Sequence, residues 1–531
     1  MNDVGLRGSG ASRGLTVRTL RSMTWTGGGA AAEMVLQAII MMILARLLGP
    51  ADFGIVTVAL VATGFVGLFG ELGLTPAIIQ RETLTPVHVR TAFTTSLAFA
   101  LGIGAALAVL SSWVARFFAM PGVAPMVSVM AFSLVIKAWG SMPSALLQRA
   151  MRFRDIAVAS IVSYLVGFGL VGIGMAAAGF GPWSLIAAHM TQTLVQSLAL
   201  HFAQPVPHRL GVDPRALQDL VAYGGGVSFA RFANYLALRG DNMVVGHTLG
   251  PTALGLYGPA YHLMAMPADL FQRVVQSVLF PAISRLQTEP ERLAATYRRG
   301  LAVIGLTVLP ATALTILLAP PLVDVLLGPR WRGVTAPLQI LAAGMFFRVG
   351  YKMSVVVVKA TGAVRPFALR QIPYPLMVVS FAWIGTRWGL SGVALGVVIA
   401  LAVHYALLTT LGLRVAGLTV GDYIRAHRSA LVLTTVVFVQ AWLVIAATRA
   451  GHLPAAVNLP LVGLSTAVVV AALVWWVPGS VLGADGMWFR QSLGRFAMPA
   501  MRRDSRPGRS VAPGTLAPVD LPDRDQAARR V

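Results

Sequence analysis

Charge is scarce in this 531-residue chain: only 11% of its residues are Asp, Glu, Lys or Arg, where a soluble domain carries about 25%. Too little polar side chain is present to coat a water-soluble globule, and 56% of the residues are apolar, with a mean hydropathy of +0.74. Cysteine is absent altogether, which excludes disulfides, a thiolate nucleophile and Cys-ligated metal. Lysine occurs only at Lys137, Lys352 and Lys359, and acidic residues number 19 against 42 basic ones. Motifs for chemistry are missing as well. No Gly-rich loop ends in Lys-Ser/Thr, so no nucleotide site is expected. The nine histidines are scattered without metal-ligand spacing, and no GxSxG elbow occurs. The sequence therefore predicts no cofactor, no metal and no catalytic residue: a transporter rather than an enzyme.

Long apolar runs are what the chain does have. A bilayer core of roughly 30 Å needs about 20 mainly apolar residues per helix. Runs bounded by Gly, Pro and charge predict about fourteen transmembrane helices. They fall at 25–48, 53–73, 91–113, 124–147, 156–178, 181–203, 220–248, 253–283, 300–319, 334–358, 367–386, 389–412, 430–448 and 456–477. The first run follows a basic N-terminus (Arg7, Arg13, Arg18, Arg21) as in a signal peptide, but it is too long for a signal core. Leu74 to Arg90 reads as an interfacial segment, and Pro320 to Gly333 as the longest outer loop. From Pro478 onward the chain turns polar and reads as a disordered tail.

The net charge of +23 would suit nucleic acid, but no basic stripe with interleaved aromatics lies outside the apolar runs, so no nucleic-acid partner is expected. The surplus follows the loops instead. With the N-terminus inside, thirty basic residues fall on the inner side, among them Arg149, Arg152, Arg154, Arg298 and Arg299. Six fall outside: Arg46, Arg116, Arg330, Arg332, Arg387 and Arg449. That positive-inside bias predicts an inner-membrane protein with both termini in the cytoplasm.

An internal repeat divides the chain. Leu48-Gly49-Pro50-Ala51-Asp52-Phe53-Gly54-Ile55 closes the first span, and Leu249-Gly250-Pro251-Thr252-Ala253-Leu254-Gly255-Leu256 closes the seventh; a triple glycine precedes each. Repeats six helices apart share one orientation, related by an axis along the membrane normal with a cavity between them. The expected organisation is an all-α polytopic membrane protein. It has a basic N-terminus (1–24), a first six-helix lobe (25–203), a cytoplasmic linker (204–219), a second six-helix lobe (220–412), a two-helix appendage (430–477) and a cytoplasmic tail (478–531).

Six basic residues remain at helix depth: Lys137, Arg231, Arg239, Arg273, Arg348 and Lys352. A charge at mid-bilayer costs on the order of 3 kcal/mol or more, so each needs a partner, a wet cavity or a route to the interface. Asp269 and Arg273, four apart, form a natural intrahelical pair. Arg348 and Lys352 are also four apart but alike in sign, and so would raise the potential of whatever they line. Five of the six cations fall in the second lobe. Together they predict a cationic vestibule for an anionic substrate, and a pyrophosphate headgroup fits because Arg grips phosphate oxygens in bidentate fashion. Glu33, Asp241 and Asp269 are candidate ion-coupling carboxylates, equally explicable as structural partners. His189, Gln192 and Gln196 share a face of the sixth span, where they would bond either a sugar or a neighbouring helix.

Several segments resemble bacterial polysaccharide transporters of the Wzx type. They are Leu44-Ala45-Arg46-Leu47-Leu48-Gly49-Pro50-Ala51-Asp52-Phe53-Gly54, Leu147-Gln148-Arg149-Ala150-Met151-Arg152-Phe153, and Leu254-Gly255-Leu256-Tyr257 with Ala260-Tyr261. Val278-Leu279-Phe280-Pro281-Ala282-Ile283-Ser284-Arg285-Leu286-Gln287 and Lys359-Ala360-Thr361-Gly362 follow in the family's order. The resemblance runs from about residue 20 to 480. It implies membership of the multidrug/oligosaccharidyl-lipid/polysaccharide exporter superfamily, with twelve to fourteen helices in two lobes. It further implies flipping of undecaprenyl-pyrophosphate-linked oligosaccharide from the inner to the outer leaflet for surface polysaccharides such as lipopolysaccharide or exopolysaccharide. The partners so implied are that lipid-linked oligosaccharide, membrane lipids, and the polysaccharide polymerase and chain-length machinery. Alternatives are a superfamily transporter of a drug or cell-wall precursor, and a polysaccharide polymerase or ligase, which would need a large outer loop.

Overall fold

The computed structural model describes residues 33–476 apart from 71–73, 82, 207–209, 275–278 and 452–453, together with 483 and 487; the side chains of 69–70, 220–231, 270, 273–274, 281–282 and 455–456 also lie outside the description. The N-terminal segment and nearly all of the tail fall beyond it.

The described chain is built of helices. They are α1 (33–47), α2 (Pro50–Gly70), α3 (Pro86–Val109), α4 (Val123–Arg149), α5 (Phe153–Ala177) and α6 (Pro182–Ala203). Next, Pro214–Val274 is divided by non-helical Gly250 into α7 and α8. The series ends with α9 (Pro290–Leu326), α10 (Pro329–Ala360), α11 (Pro373–Gly385), α12 (Gly389–Val415), α13 (Val420–Ala450) and α14 (Ala455–Trp476). Each expected span overlaps a helix. Nine stretches among the described residues are long and apolar enough to cross a bilayer, one of them the 52-residue Val364–Val415. The protein is a polytopic helical membrane protein. Its outer faces carry the apolar side chains a bilayer demands: Phe202 is 85% exposed and Trp476 80%.

Several boundaries differ from the sequence reading, each for a physical reason. Helix α9 runs through Pro320 and Pro321 to Leu326, so the outer loop expected at Pro320 to Gly333 is mostly helix. Proline lacks the N–H that would bond four residues back, and Pro320 thereby frees the Ile316 carbonyl. The Gln339 side chain of α10 donates to that same oxygen at 3.0 Å. Helix α13 begins ten residues before the apolar run, because Thr419 and Asp422 form a reciprocal capping box. The segment expected to be interfacial contains a short helix, Leu74–Gln80, whose Leu74 and Ile78 are fully buried against Phe93 and Met142.

Helices α2 to α6 pack on one another, and α7 to α12 do likewise, while α13 and α14 pack against α9. The main bridge between these groups is α2 lying along α7 and α8. Here the two copies of the repeat meet. A methyl placed on Gly54 would sit 1.8 Å from the Pro251 carbonyl oxygen, and one on Gly255 would sit 1.7 Å from that of Pro50. Each glycine thus seats the other copy's backbone where no side chain fits. The corners that aim the helices are made differently. Asp52 accepts from the Gly49 N–H at 2.9 Å in the first copy. The second copy has Ala253 at that place and turns instead at Gly250, whose φ of 81° lies in the left-handed region that favours glycine. Fully buried Trp331 clasps the same end: its indole N–H donates to the Ala45 carbonyl at 2.7 Å, and its ring meets Phe53 edge-on at 5.1 Å.

Candidate functional site

Inward from the glycine contact, α2 and α8 border a cavity of about 420 Å³. Helix α2 contributes Thr57, Leu60, Val61 and Gly64, a spacing that places all four on one helical face. Helix α8 presents Gly258, Tyr261, His262, Ala265 and Asp269; α7 adds Tyr235, Leu238, Arg239 and Asn242; α10 adds Arg348. Tyr235 ties the wall together by donating to the Val61 carbonyl at 2.7 Å. Gly64 leaves room for that ring, since a methyl there would lie 2.6 Å from the Tyr235 hydroxyl.

The charge in this wall is arranged in layers. Arg348 is only 5% exposed; it donates to the Tyr261 hydroxyl at 2.8 Å and stands 5.0 Å from the centre of that ring. Its Nε is buried and has no hydrogen-bond partner among the described residues. One turn further, Lys352 is 8% exposed, donates to the Ala268 carbonyl at 2.6 Å and lies 3.9 Å from Asp269. Behind Tyr261, Tyr257 donates to Asp241 at 2.8 Å, and Asp241 also accepts from the Asn242 side chain at 3.0 Å. Asp241 is 1% exposed and faces away from the open space, whereas Asp269 lines it with a 62% exposed side chain. Among the described residues the carboxylate on the cavity is therefore an exposed one, while the Arg348 guanidinium on the wall and the Lys352 ammonium behind Asp269 are held by hydroxyl and carbonyl oxygens.

Of the six cations placed at helix depth from sequence, the structure gathers three: Arg239 and Arg348 line the cavity, and Lys352 abuts it through Asp269. Lys137 is elsewhere, in a crevice of about 30 Å³ formed by α2, α3 and α4. The side chains of Arg231 and Arg273 lie outside the described residues. Asp269 lies 3.9 Å from Lys352 of another helix, and the intrahelical pair expected with Arg273 falls outside the described residues. Glu33 is remote as well, accepting from Ser160 at 2.8 Å and from Gln37 at 3.3 Å. On α6, Gln192 lies against α5, where a methyl on Gly167 would sit 2.7 Å from its Cβ. Sequence reasoning passed over Tyr235, Tyr257, Tyr261 and Asn242. Tyr257 and Tyr261 stood four apart in a quoted segment, a spacing that already put both on one helical face.

Known proteins place this architecture. The profile of a family described as polysaccharide biosynthesis protein matches residues 43–336. Among curated relatives, the succinoglycan biosynthesis transport protein ExoT of Rhizobium meliloti (strain 1021) is 28% identical over 61% of this chain and 65% of its own length. The chain thus matches slightly less than two thirds of that relative. The lipopolysaccharide biosynthesis protein WzxC of Escherichia coli (strain K12) is 23% identical over 63% of this chain and 69% of its own. Among solved structures, the lipid II flippase MurJ in an inward closed conformation aligns with a TM-score of 0.66 at 12% identity, covering 84% of this chain and 98% of that one. An inward-facing multidrug resistance MATE family transporter of the MOP superfamily aligns with a TM-score of 0.60 at 16% identity, covering 72% and 95%. At such identities the structural likeness speaks for the fold alone. By the match over more than half its length, the chain belongs to the polysaccharide biosynthesis protein family.

Proposed function

We propose that this protein moves undecaprenyl-pyrophosphate-linked oligosaccharide from the inner to the outer leaflet of the bacterial inner membrane, as a transporter with no catalytic step of its own. One observation carries the reading: Arg348, fixed by Tyr261, lines a cavity that Arg239 also lines. A phosphate oxygen is the natural acceptor for guanidinium donors. Lys352, one turn away, supplies a second cation for a diphosphate. Cationic drugs fit such a wall poorly. The relatives' names, a succinoglycan transport protein and a lipopolysaccharide biosynthesis protein, agree with a lipid-linked sugar as cargo.

In this reading residues 25–203 and 220–412 are two lobes, related by an axis along the membrane normal, that rock against each other; 204–219 links them in the cytoplasm, and 430–477 is an appendage. Both termini are cytoplasmic. The headgroup sits between the lobes, the polyprenyl tail stays in the bilayer, and the polymerase and chain-length machinery receive the product outside. Of the three carboxylates considered for ion coupling, Asp269 is the one on the cavity.

The test uses a deletion strain whose lipid-linked oligosaccharide is labelled with a membrane-impermeant, sugar-reactive probe. The intact gene should restore outward labelling. The double variant Arg348→Gln/Lys352→Gln should insert normally and restore none. Full outward labelling by the double variant would remove the cationic site from the mechanism. Normal outward labelling in the deletion strain, with polymerisation blocked, would place the protein among the polymerising enzymes.

A further inference from the structure

A second cavity, of about 520 Å³, lies away from the charged one, between α11 and α12. Its size falls within the roughly 300 to 1,000 Å³ of ligand cavities. It exists because two helix backbones touch. Methyl groups on Gly385, Gly392 and Gly396 would lie 2.2–2.3 Å from carbonyl oxygens of the facing helix. With three side chains missing from the seam, a furrow remains beside it. Ser391, Leu395 and Ile399, four apart along α12, form one bank; Phe381, Ile384 and Trp388 form the other. The furrow is open on the side where Ile384 is 49%, Leu395 52% and Ile399 45% exposed. In a polytopic protein such a face meets the bilayer.

A charge stands in the chain next to the furrow. Exposed Arg387 stands in the single turn Thr386–Trp388 that joins the two helices, between lining residues Gly385 and Trp388. It is one of the few basic residues on the side where they are sparse. No Asp or Glu occurs between Asp324 and Asp422, so this hairpin carries no acidic side chain for a lipid's amine to pair with.

We infer that this furrow binds one anionic phospholipid, its phosphate on Arg387 and one acyl chain in the groove between Phe381 and Ile399. The chain length supports that occupant. Ile399 lies twelve residues beyond Arg387, about 18 Å along a helix, close to the roughly 15 Å of hydrocarbon in one leaflet. A polyprenyl tail long enough to cross both leaflets would overrun it. This site is independent of the transport reading, and its test needs no transport.

The full-length protein is extracted and washed stepwise in an equal mixture of phosphatidylglycerol and phosphatidylcholine with matched acyl chains. Retained lipid is then counted by native mass spectrometry. One phosphatidylglycerol per chain, held several-fold over phosphatidylcholine, is the expected result. Arg387→Gln, a change at an exposed residue, should erase that preference. Ser391→Phe, which fills the furrow, should remove the retained lipid. Equal retention of both lipids by the unaltered protein, or a headgroup preference that survives Arg387→Gln, overturns the proposal.

Discussion

Arg348 and Lys352 show how far a residue's neighbours along the chain reveal its role. Their spacing put two like charges on one face of a helix, and the structure holds both in the wall of the cavity region. What the spacing did not contain is the other helix. Tyr261 and the Ala268 carbonyl, which keep those cations in place, come from α8. Asp269 belongs to the same story. Its exposed carboxylate beside Lys352 occupies, in our reading, the place that a substrate phosphate takes. Asp269→Asn should therefore strengthen binding of inorganic pyrophosphate to the purified protein several-fold, because a like charge leaves the wall. It should slow turnover, because nothing displaces the bound anion. Unchanged or weaker pyrophosphate binding would show that Asp269 takes no part in anion exchange. Lys137 marks the opposite limit. Its place in an apolar run was legible, but its separation from the second-half cations depends on helix packing alone.

Among the elements, helix positions were legible from apolar runs, and helix ends were not. The prolines at 320 and 321 were read as punctuation, yet α9 runs through both. The oxygen freed by Pro320 is met by Gln339, whose partner was invisible in a one-dimensional pattern. Gln339→Leu should leave the Ile316 carbonyl without a donor. Such a loss costs about 1–3 kcal/mol and is measurable as a lowered melting temperature in detergent; an unchanged melt would mean the bond contributes nothing. At α13 the signal was present in the sequence as Thr419 three residues before Asp422, but the apolar run drew the boundary later. Thr419→Ala should destabilise the helix start by about 1 kcal/mol. Faster amide exchange confined to the first turn of α13 is the expected readout.

At the scale of the whole molecule, the repeat, the helical class and the family were all legible, because each is written in local patterns: LGP with a following glycine, apolar runs and ordered short segments. That the two repeats press their backbones together was not, since it depends on where the halves sit in space. Gly54→Leu should wedge α2 from α8 at the end the charge bias places outside, and Gly255→Leu should do the same, because the contact is reciprocal. The absence of native cysteine makes this directly measurable. A single Thr57→Cys reporter should react several-fold faster with an impermeant maleimide applied from outside when either glycine is replaced. If only one of the two replacements raises the rate, the contact does not act as a symmetric seat.

The same seat can be viewed as the short arm of a lever. Gly255 and Asp269 are fourteen residues apart, about 21 Å along a helix. A wedge that forces the arms apart by about 2 Å at one end tilts them by about 5° over that length. Two glycines separated by 201 positions in the chain thus set the angle at which a charged wall, several turns away, faces its opposite helix. A side chain placed at either glycine would need neither charge nor any resemblance to a sugar to change that angle.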